Sequence, residues 1–182
     1  DFLRFDRFNV SLHKEEQYVA LQRLTRSRYQ LICQLTEMKQ HFLENLYYKC
    51  NTLTKEVDTS IFGSTMMNLL TDSSSLDEIA SMPLEELAAL LQEKGRGRFS
   101  NPDKLAQSIA KAVRDSYRLG KVMQDSVDVV LASYAMMIKT IKDQIKTLDK
   151  AIQNLIVTLP ESQSLLSIPG IGPIYAAGIL AE

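Results

Sequence analysis

A row of basic residues in the middle of the sequence is the most direct candidate for phosphate chemistry. Its members follow at steps of seven, three, four and three, which places them on one helix face: Lys104, Lys111, Arg114, Arg118 and Lys121. Lys94, Arg96 and Arg98 precede them in a glycine-containing loop. Such a surface neutralises backbone phosphates and binds nucleic acid without reading bases. An ordinary solvated helix face is the alternative, because Asp103, Asp115 and Asp125 lie close by.

A second candidate is the glycine-rich stretch near the end, Ser167-Ile-Pro-Gly-Ile-Gly-Pro-Ile-Tyr-Ala-Ala-Gly-Ile-Leu180. It predicts helix, tight turn and helix, in the order of residue types of a helix-hairpin-helix. Gly170 and Gly172 are expected to adopt positive φ, so that unpaired N–H groups of the following helix face a phosphate. Ile171 is expected to fill the space between the helices, and Ala176 to let them approach. A plain helix connection with a glycine-rich bend is the alternative.

Catalytic constellations are hard to find in this sequence. The two histidines, His13 and His41, are expected to lack an acidic or histidine partner one helical turn away on a shared apolar face, as a helical zinc site would need. Carboxylates are dispersed among lysines and arginines, as on a solvated surface. No phosphate-binding loop, dinucleotide fingerprint or nucleophile elbow occurs. We therefore predict no catalytic residue and no metal ligand.

Two long amphipathic helices are expected to position these candidates. Residues 14–50 contain neither Pro nor Gly, and their apolar residues recur at three- and four-residue steps, with Arg28 as an interruption. A helix of roughly 37 residues spans about 55 Å, which is too long for a compact domain to wrap, so it needs a partner helix. The apolar residues of this row are Leu21, Leu24, Leu31, Leu35, Met38 and Phe42.

The second long helix has the strictest pattern in the sequence. Its apolar residues alternate steps of four and three, and a sustained repeat of seven indicates a coiled coil: Val127, Leu131, Tyr134, Ile138, Ile141, Ile145, Leu148, Ile152, Leu155 and Leu159. Pro160 is expected to end the helix. The two helices most simply form an antiparallel pair, although pairing between chains would use the same apolar row.

Shorter helices are expected between the two long ones. Ser75 and Glu78 have capping-box spacing. Pro83 is expected at the first position of a helix that buries Leu84, Leu87, Leu90 and Leu91 and ends at Gly95. Asn101 and Pro102 open the next helix, which is expected to continue through Gly120 into the second long helix.

The predicted fold class is all-α: a long antiparallel coiled-coil pair, a small helical insert and the start of a helix-hairpin-helix. We divide the sequence into a first coiled-coil helix (residues 1–59), the insert with its basic loop and helix (60–125), a second coiled-coil helix (126–160) and a carboxy-terminal start (161–182). Asp1 in place of Met, and Glu182 inside an apolar helical pattern, indicate an internal part of a longer protein.

Composition excludes several classes of protein. Hydrophobic residues make up 45% and charged residues 24% of the 182 positions, with a formal net charge of −1, so nucleic-acid contact must come from local patches. No apolar run is long enough to cross a bilayer, and no membrane partner is expected. Cys33 and Cys50 lack metal-site spacing and are expected to be reduced, buried or half-buried thiols of a cytoplasmic protein.

The sequence from Ser167 to Glu182, Ser-Ile-Pro-Gly-Ile-Gly-Pro-Ile-Tyr-Ala-Ala-Gly-Ile-Leu-Ala-Glu, resembles the start of the carboxy-terminal domain of insertion sequence one-ten (IS-one-ten) transposases. These are relatives of the pilin-gene invertases and of the bridge-RNA-guided recombinases. Further stretches are similar to the same family: Asp1-Phe-Leu-Arg-Phe, Leu24-Thr-Arg-Ser-Arg28, Leu84-Glu-Glu-Leu87, Lys94-Gly-Arg-Gly-Arg-Phe99 and Asp115-Ser-Tyr117. The last sixteen residues are the most specific part.

The resemblance implies a preceding RuvC-like domain with four acidic ligands for a divalent metal, Mg, and a later domain with a serine nucleophile. Neither set lies in this sequence: Asp1 does not match a ligand position, and Ser164 and Ser167 precede the glycine turn. The implied function is a non-catalytic central part of a transposase that spaces domains, forms homo-oligomers and contacts DNA or a guide RNA. The alternative is a non-enzymatic helical DNA-binding or scaffold module with a helix-hairpin-helix.

Overall fold

The structure, a computed structural model, describes residues 15–71 and 76–182, and all regular secondary structure in this part of the chain is helical. The prediction of an all-α fold is confirmed. The helices are α1 (Glu16–Lys49), α2 (Leu53–Glu56), α3 (Ser64–Thr71), α4 (Leu76–Ser81), α5 (Leu84–Gly95), α6 (Pro102–Asp115), α7 (Lys121–Ile156), α8 (Ser162–Leu166) and α9 (Pro173–Ala181).

The described residues pack as two units. The first comprises residues 15–33 and 143–182, and the second comprises Gln34–Lys142. Both long helices contribute residues to each unit, because the boundaries fall inside α1 and α7.

The two long helices run antiparallel in both units. In the second unit His41 lies beside Tyr134, with ring centroids 5.7 Å apart, and Lys49 lies beside Asp128. In the first unit Arg28 pairs with Asp149, while Leu21 packs with Ile152 and Ile156. As the residue numbers increase along α1, those of the partners on α7 decrease. This confirms the predicted antiparallel pair within a single chain.

The residues that follow Leu131 at seven-residue steps in the predicted repeat are buried, as expected. The innermost positions of this apolar row, which we call the α7 seam, are Leu131, Ile138, Ile145, Ile152 and Leu159, the last just beyond the helix. The alternate positions of the repeat are half-buried, apart from the fully buried Val127. Helix α7 ends at Ile156, before Pro160, as expected from the geometry that proline imposes on the preceding residue.

Arg28, the polar interruption in the α1 row, has a specific partner in the first unit. Its guanidinium Nε donates a hydrogen bond to Asp149 Oδ1, and both side chains are about a quarter exposed. A half-buried charge requires such a partner because burial removes its hydration. The interruption therefore contributes a cross-helix ion pair between α1 and α7.

A buried lysine joins three helices in the second unit. Lys49, at the end of α1, is only 5% exposed. Its ammonium lies 2.8 Å from Asp128 Oδ1 of α7 and donates a 2.8 Å hydrogen bond to the Leu70 carbonyl of α3. Losing either partner would leave a buried charge incompletely compensated, which is costly. Lys49 thus fixes where α3 meets the helix pair.

The prediction of a continuous helix through Gly120 is wrong, because α6 ends at Asp115 and α7 begins at Lys121. Ser116 is buried and extended, with φ −87° and ψ 149°. Its hydroxyl donates to the Ala112 carbonyl at 2.7 Å and lies 3.2 Å from both Thr52 Oγ1 and Cys50 Sγ. These contacts hold the chain out of helical geometry after Asp115.

The same network encloses one of the two cysteines. Cys50 is buried as expected, and its burial raises the pKa of its thiol. Cys33 is exposed, so the expectation of a buried or half-buried thiol is wrong at that position.

The remaining short helices mostly begin and end at the predicted residues. Asn101 caps α6 by accepting the Lys104 N–H at 2.9 Å. Pro83 is the N-cap of α5 rather than its first helical residue. Of the four leucines predicted to be buried, Leu87 and Leu91 are buried, Leu90 is half-buried and Leu84 is 47% exposed. The proposed capping box at Ser75 lies outside the described residues.

Replacement of Ile138 by alanine tests the α7 seam. Ile138 is 1% exposed, and its truncation leaves a cavity, so Ile138→Ala should lower the free energy of unfolding by about 2–5 kcal/mol. Lys139 is exposed on the same helix, and Lys139→Ala should change stability by no more than about 0.5 kcal/mol. Denaturant unfolding followed by circular dichroism measures both; equal effects would contradict the assigned seam.

Candidate nucleic-acid interface

The glycine-rich stretch forms a tight turn between α8 and α9. The Ile171 N–H donates to the Ile168 carbonyl at 3.1 Å across Pro169 and Gly170. Proline at the second position and glycine at the third, with φ +90° at Gly170, are the features of a type II β-turn. Gly170 therefore has the positive φ that was predicted for it.

Gly172 departs from the prediction. Its φ is −85° and its ψ is 172°, an extended conformation open to most residues, so the expected positive φ is wrong here. Gly172 is the N-cap of α9, and a Cβ added there would meet nothing within 4 Å. One glycine is enough because a type II turn needs positive φ at a single position.

Residues on either side of the turn contribute to the buried core of the first unit. Ile171 packs against the buried cluster of the first unit, and Ala176 is fully buried within that cluster. Ala177 and Ala181 of α9 join the same cluster, together with Leu21 of α1 and Ile152 of α7. The turn itself remains exposed at Ile168, Pro169 and Gly170. Its backbone is thus accessible to a large ligand.

Side chains of α1 hold the end of this hairpin in place. The Gln22 amide donates to the Ala181 carbonyl at 3.0 Å, and Arg26 donates two 3.0 Å hydrogen bonds to the Glu182 carboxylate. The Tyr18 hydroxyl donates to Glu161 at 2.7 Å, which raises the pKa of Tyr18 and lowers the pKa of Glu161. Sequence reasoning missed these contacts because the partners are more than 140 residues apart.

The predicted basic row does not form one continuous face, because only its first three members lie on α6. Each of these has an acidic neighbour: Lys104 lies 3.3 Å from Asp58, Lys111 lies 2.7 Å from Glu56, and Arg114 lies 3.3 Å from Asp115. The hydrogen bond to Glu56 raises the pKa of Lys111. These exposed pairs are weak, so a phosphate can compete for the cations, but they reduce the local positive charge.

The last two members of the row lie beyond α6. Arg118 is exposed in the segment between α6 and α7, and Lys121 is the exposed first residue of α7. The break at Ser116 therefore removes both from the helix face that their spacing predicted.

Arg96 and Arg98 are placed differently from the α6 cations. Both are exposed in the loop after α5, and neither has a carboxylate partner among the described residues. Arg96 is in the left-handed region with φ +51°, followed by Gly97 with φ +69°. The N–H groups of Arg96 and Gly97 donate to the carbonyls of Glu93 and Gln92, which is a Schellman motif. The fold thus fixes the backbone and leaves both guanidinium groups accessible.

Two exposed glutamates of α1 lie beside His41. Its Nδ1 lies 3.0 Å from Glu44 and its Nε2 lies 3.9 Å from Glu37. The hydrogen bond lowers the pKa of Glu44. No group of three or more potential metal ligands occurs within residues 15–71 and 76–182. His13 lies outside the described residues.

Comparison of the chain with known proteins does not assign it to a family. No family model, curated protein or solved structure matches the chain. None of the described helices is long and apolar enough to cross a membrane.

Alanine substitutions at the two glycines test the turn geometry. Gly170→Ala should destabilise the protein by about 1–2 kcal/mol, because an L side chain strains positive φ. Gly172→Ala should change stability by less than about 0.5 kcal/mol, since the lower entropy of its unfolded chain offsets alanine's weaker N-cap preference. Thermal unfolding of both variants makes the comparison. A larger loss for Gly172→Ala than for Gly170→Ala would contradict the turn described here.

Proposed function

We propose that this chain is the non-catalytic central part of a DNA transposase of the IS-one-ten type, acting in the cytoplasm. In this role it spaces the flanking domains, assembles copies of the protein and contacts DNA or guide RNA during transposition. The Mg-dependent chemistry belongs to the RuvC-like domain that the resemblance implies outside this sequence. The main support for the proposal is a row of exposed apolar residues on α7, on the face opposite the seam that packs within the same chain.

Assembly requires a surface other than the α7 seam, because that seam packs within its own chain. In the second unit α7 exposes three apolar side chains spaced by seven residues: Val122 (83% exposed), Val129 (71%) and Met136 (72%). Since an α-helix turns about 100° per residue, Val129 lies about 160° around the helix from Leu131 of the seam. We call Val122, Val129 and Met136 the outer row.

The chemistry of the outer row favours a second helix as its partner. Ser126 and Ser133 lie between its members and Thr140 follows the last one, so small or apolar residues repeat at steps of four and three from Val122 to Thr140. A seven-residue repeat keeps one face aligned with a partner helix. Single exposed apolar residues need no explanation, but three in one row form a surface that association would shield from water. The same row on another copy is a matching partner.

Nucleic-acid contact in this proposal uses two surfaces. The turn, exposed at Gly170 and half-buried at Ile171 and Gly172, offers backbone next to the start of α9, where helix geometry favours an anion. In the second unit Arg96, Arg98, Lys111, Arg114, Arg118 and Lys121 supply positive charge. Because these contacts neutralise backbone phosphates, binding should be independent of base sequence and should weaken steeply with salt.

Paired acidic substitutions in the outer row test assembly. Wild-type protein should be an oligomer, and Val129→Glu with Met136→Glu should make it monomeric without loss of helicity, because burying these carboxylates in an apolar contact is costly. Val157→Glu is the matched control, since Val157 is also apolar and 70% exposed but lies beyond α7. Sedimentation and circular dichroism measure both properties. A wild-type monomer at high concentration, or an unchanged oligomer in the double variant, would refute this assembly.

The sequence of the encoding gene on both sides of this segment tests the assignment to a transposase. We expect an acidic metal-binding RuvC-like domain before it and a serine-containing domain after it. A gene without either domain would contradict the transposase proposal and favour a helical DNA-binding or scaffold module.

A further inference from the structure

The second unit contains an open cleft of about 440 Å³ next to the loop after α5. The start of α3 contributes Ser64 and Thr65, and the α5 loop contributes Lys94, Arg96, Arg98 and Phe99. Three cations thus border one concavity, and none of the described residues that line it carries a carboxylate. Arg96 and Arg98 differ in this respect from the α6 cations, each of which has an acidic neighbour.

The polar groups of the cleft suit a phosphate. Ser64 provides an exposed hydroxyl group, whereas the buried Thr65 hydroxyl donates to the Lys94 carbonyl at 3.3 Å. The first turn of α3 contains no acidic side chain. Arginine donates in a planar fork that matches phosphate oxygens, and charge-assisted bonds of this kind are stronger than neutral ones. The Schellman hydrogen bonds use the loop's own N–H groups. Recognition therefore falls to the arginine and hydroxyl side chains.

The size of the cleft and its aromatic residue limit the ligand further. The volume of the cleft lies within the range of about 300–1,000 Å³ that is typical of pockets for small ligands. A DNA duplex instead covers an extended protein surface of about 1,000–2,500 Å², so the cleft suits a single nucleotide better than a duplex. Phe99 is half-buried and lines the cleft, and its ring packs on α5 where a Cβ at Gly95 would lie 2.6 Å from Cε2. Such a fixed ring can stack on an unpaired base.

The backbone at Arg96 adds an independent observation. Residues at this position of a Schellman motif are usually glycine, because positive φ is unfavourable for L side chains. Here the chain has arginine at φ +51°, although glycine occurs at the next position. Local stability alone would favour glycine at position 96. Backbone strain at a single residue often accompanies a functional role.

We propose that this cleft binds the phosphate of an unpaired nucleotide in single-stranded DNA or RNA. Arg96 and Arg98 contact the phosphate, and Phe99 stacks on the base. The inference rests on the nucleic-acid contact in the proposed function and assigns one part of that contact to a specific site.

The test compares Arg96→Gly and Arg98→Gln with wild type in binding to labelled oligonucleotides. Each variant should bind a short single strand about tenfold more weakly, the effect of losing one charge-assisted hydrogen bond. The slope of log affinity against log salt should become shallower by about 0.7. Arg96→Gly should be as stable as wild type or more stable, because glycine relieves the strain at positive φ. Lost affinity therefore cannot be attributed to misfolding.

Lys55→Gln is the matched control, because Lys55 is an exposed cation of the same unit that does not line the cleft. It should retain nearly full affinity, inorganic phosphate should compete with the single strand, and a duplex of the same sequence should bind more weakly at this site. Equal losses in Lys55→Gln and Arg96→Gly, or equal effects of Arg96→Gly on single strand and duplex, would overturn the inference.

Two negative results separate this inference from the proposed function. If wild type binds nucleic acid in a salt-dependent manner but Arg96→Gly and Arg98→Gln bind equally well, the cleft assignment fails and the broader nucleic-acid contact stands. If wild type shows no salt-dependent binding to any oligonucleotide, the nucleic-acid part of the proposed function fails as well.

Discussion

Burial of the α7 seam against α1 is the constraint on which the other features depend. A long helix is not stable while its apolar face is exposed to water, so each seam residue needs a neighbour that excludes water. The chain supplies that neighbour itself, in antiparallel order, and the polar residues along α1 acquire partners on α7 as a result. Arg28 pairs with Asp149 in one unit, and Lys49 pairs with Asp128 in the other. The same burial commits one face of α7 and leaves the opposite face, with Val129 and Met136, exposed.

The positions of acidic neighbours, rather than the net charge of the chain, determine which cations are accessible to a phosphate. The net charge is close to zero, and the cations of α6 sit beside Asp58, Glu56 and Asp115. Arg96 and Arg98 instead border a cleft whose described lining residues carry no carboxylate. A phosphate approaching α6 must displace an existing partner, whereas Arg96 and Arg98 have no carboxylate partner among the described residues. This difference is the physical reason for assigning a defined site to the α5 loop.

Sequence patterns predicted the features that depend on neighbours along the chain. The seven-residue repeat identified Leu131 and Ile138 as buried. Asn101 and Pro102 indicated the start of α6, and Pro169 with Gly170 indicated the tight turn. Features that depend on distant residues were not predictable in this way. The break after α6 depends on contacts of Ser116 with Thr52 and Cys50, so a favourable helical spacing at Arg118 was misleading. The cleft likewise combines the α5 loop with the start of α3, which no local pattern connects.

The claim that α1 and α7 pair within one chain is tested most directly by cross-linking in isotopically mixed protein. His41 and Tyr134 lie side by side, so cysteines introduced as His41→Cys and Tyr134→Cys, with Cys33→Ser, can be joined by a short bifunctional maleimide. Labelled and unlabelled chains are unfolded together, refolded and cross-linked, and the linked peptides are analysed by mass spectrometry. Pairing within one chain predicts linked peptides that are wholly labelled or wholly unlabelled. Linked peptides that combine one labelled and one unlabelled segment would show that the seam joins two chains and would contradict it.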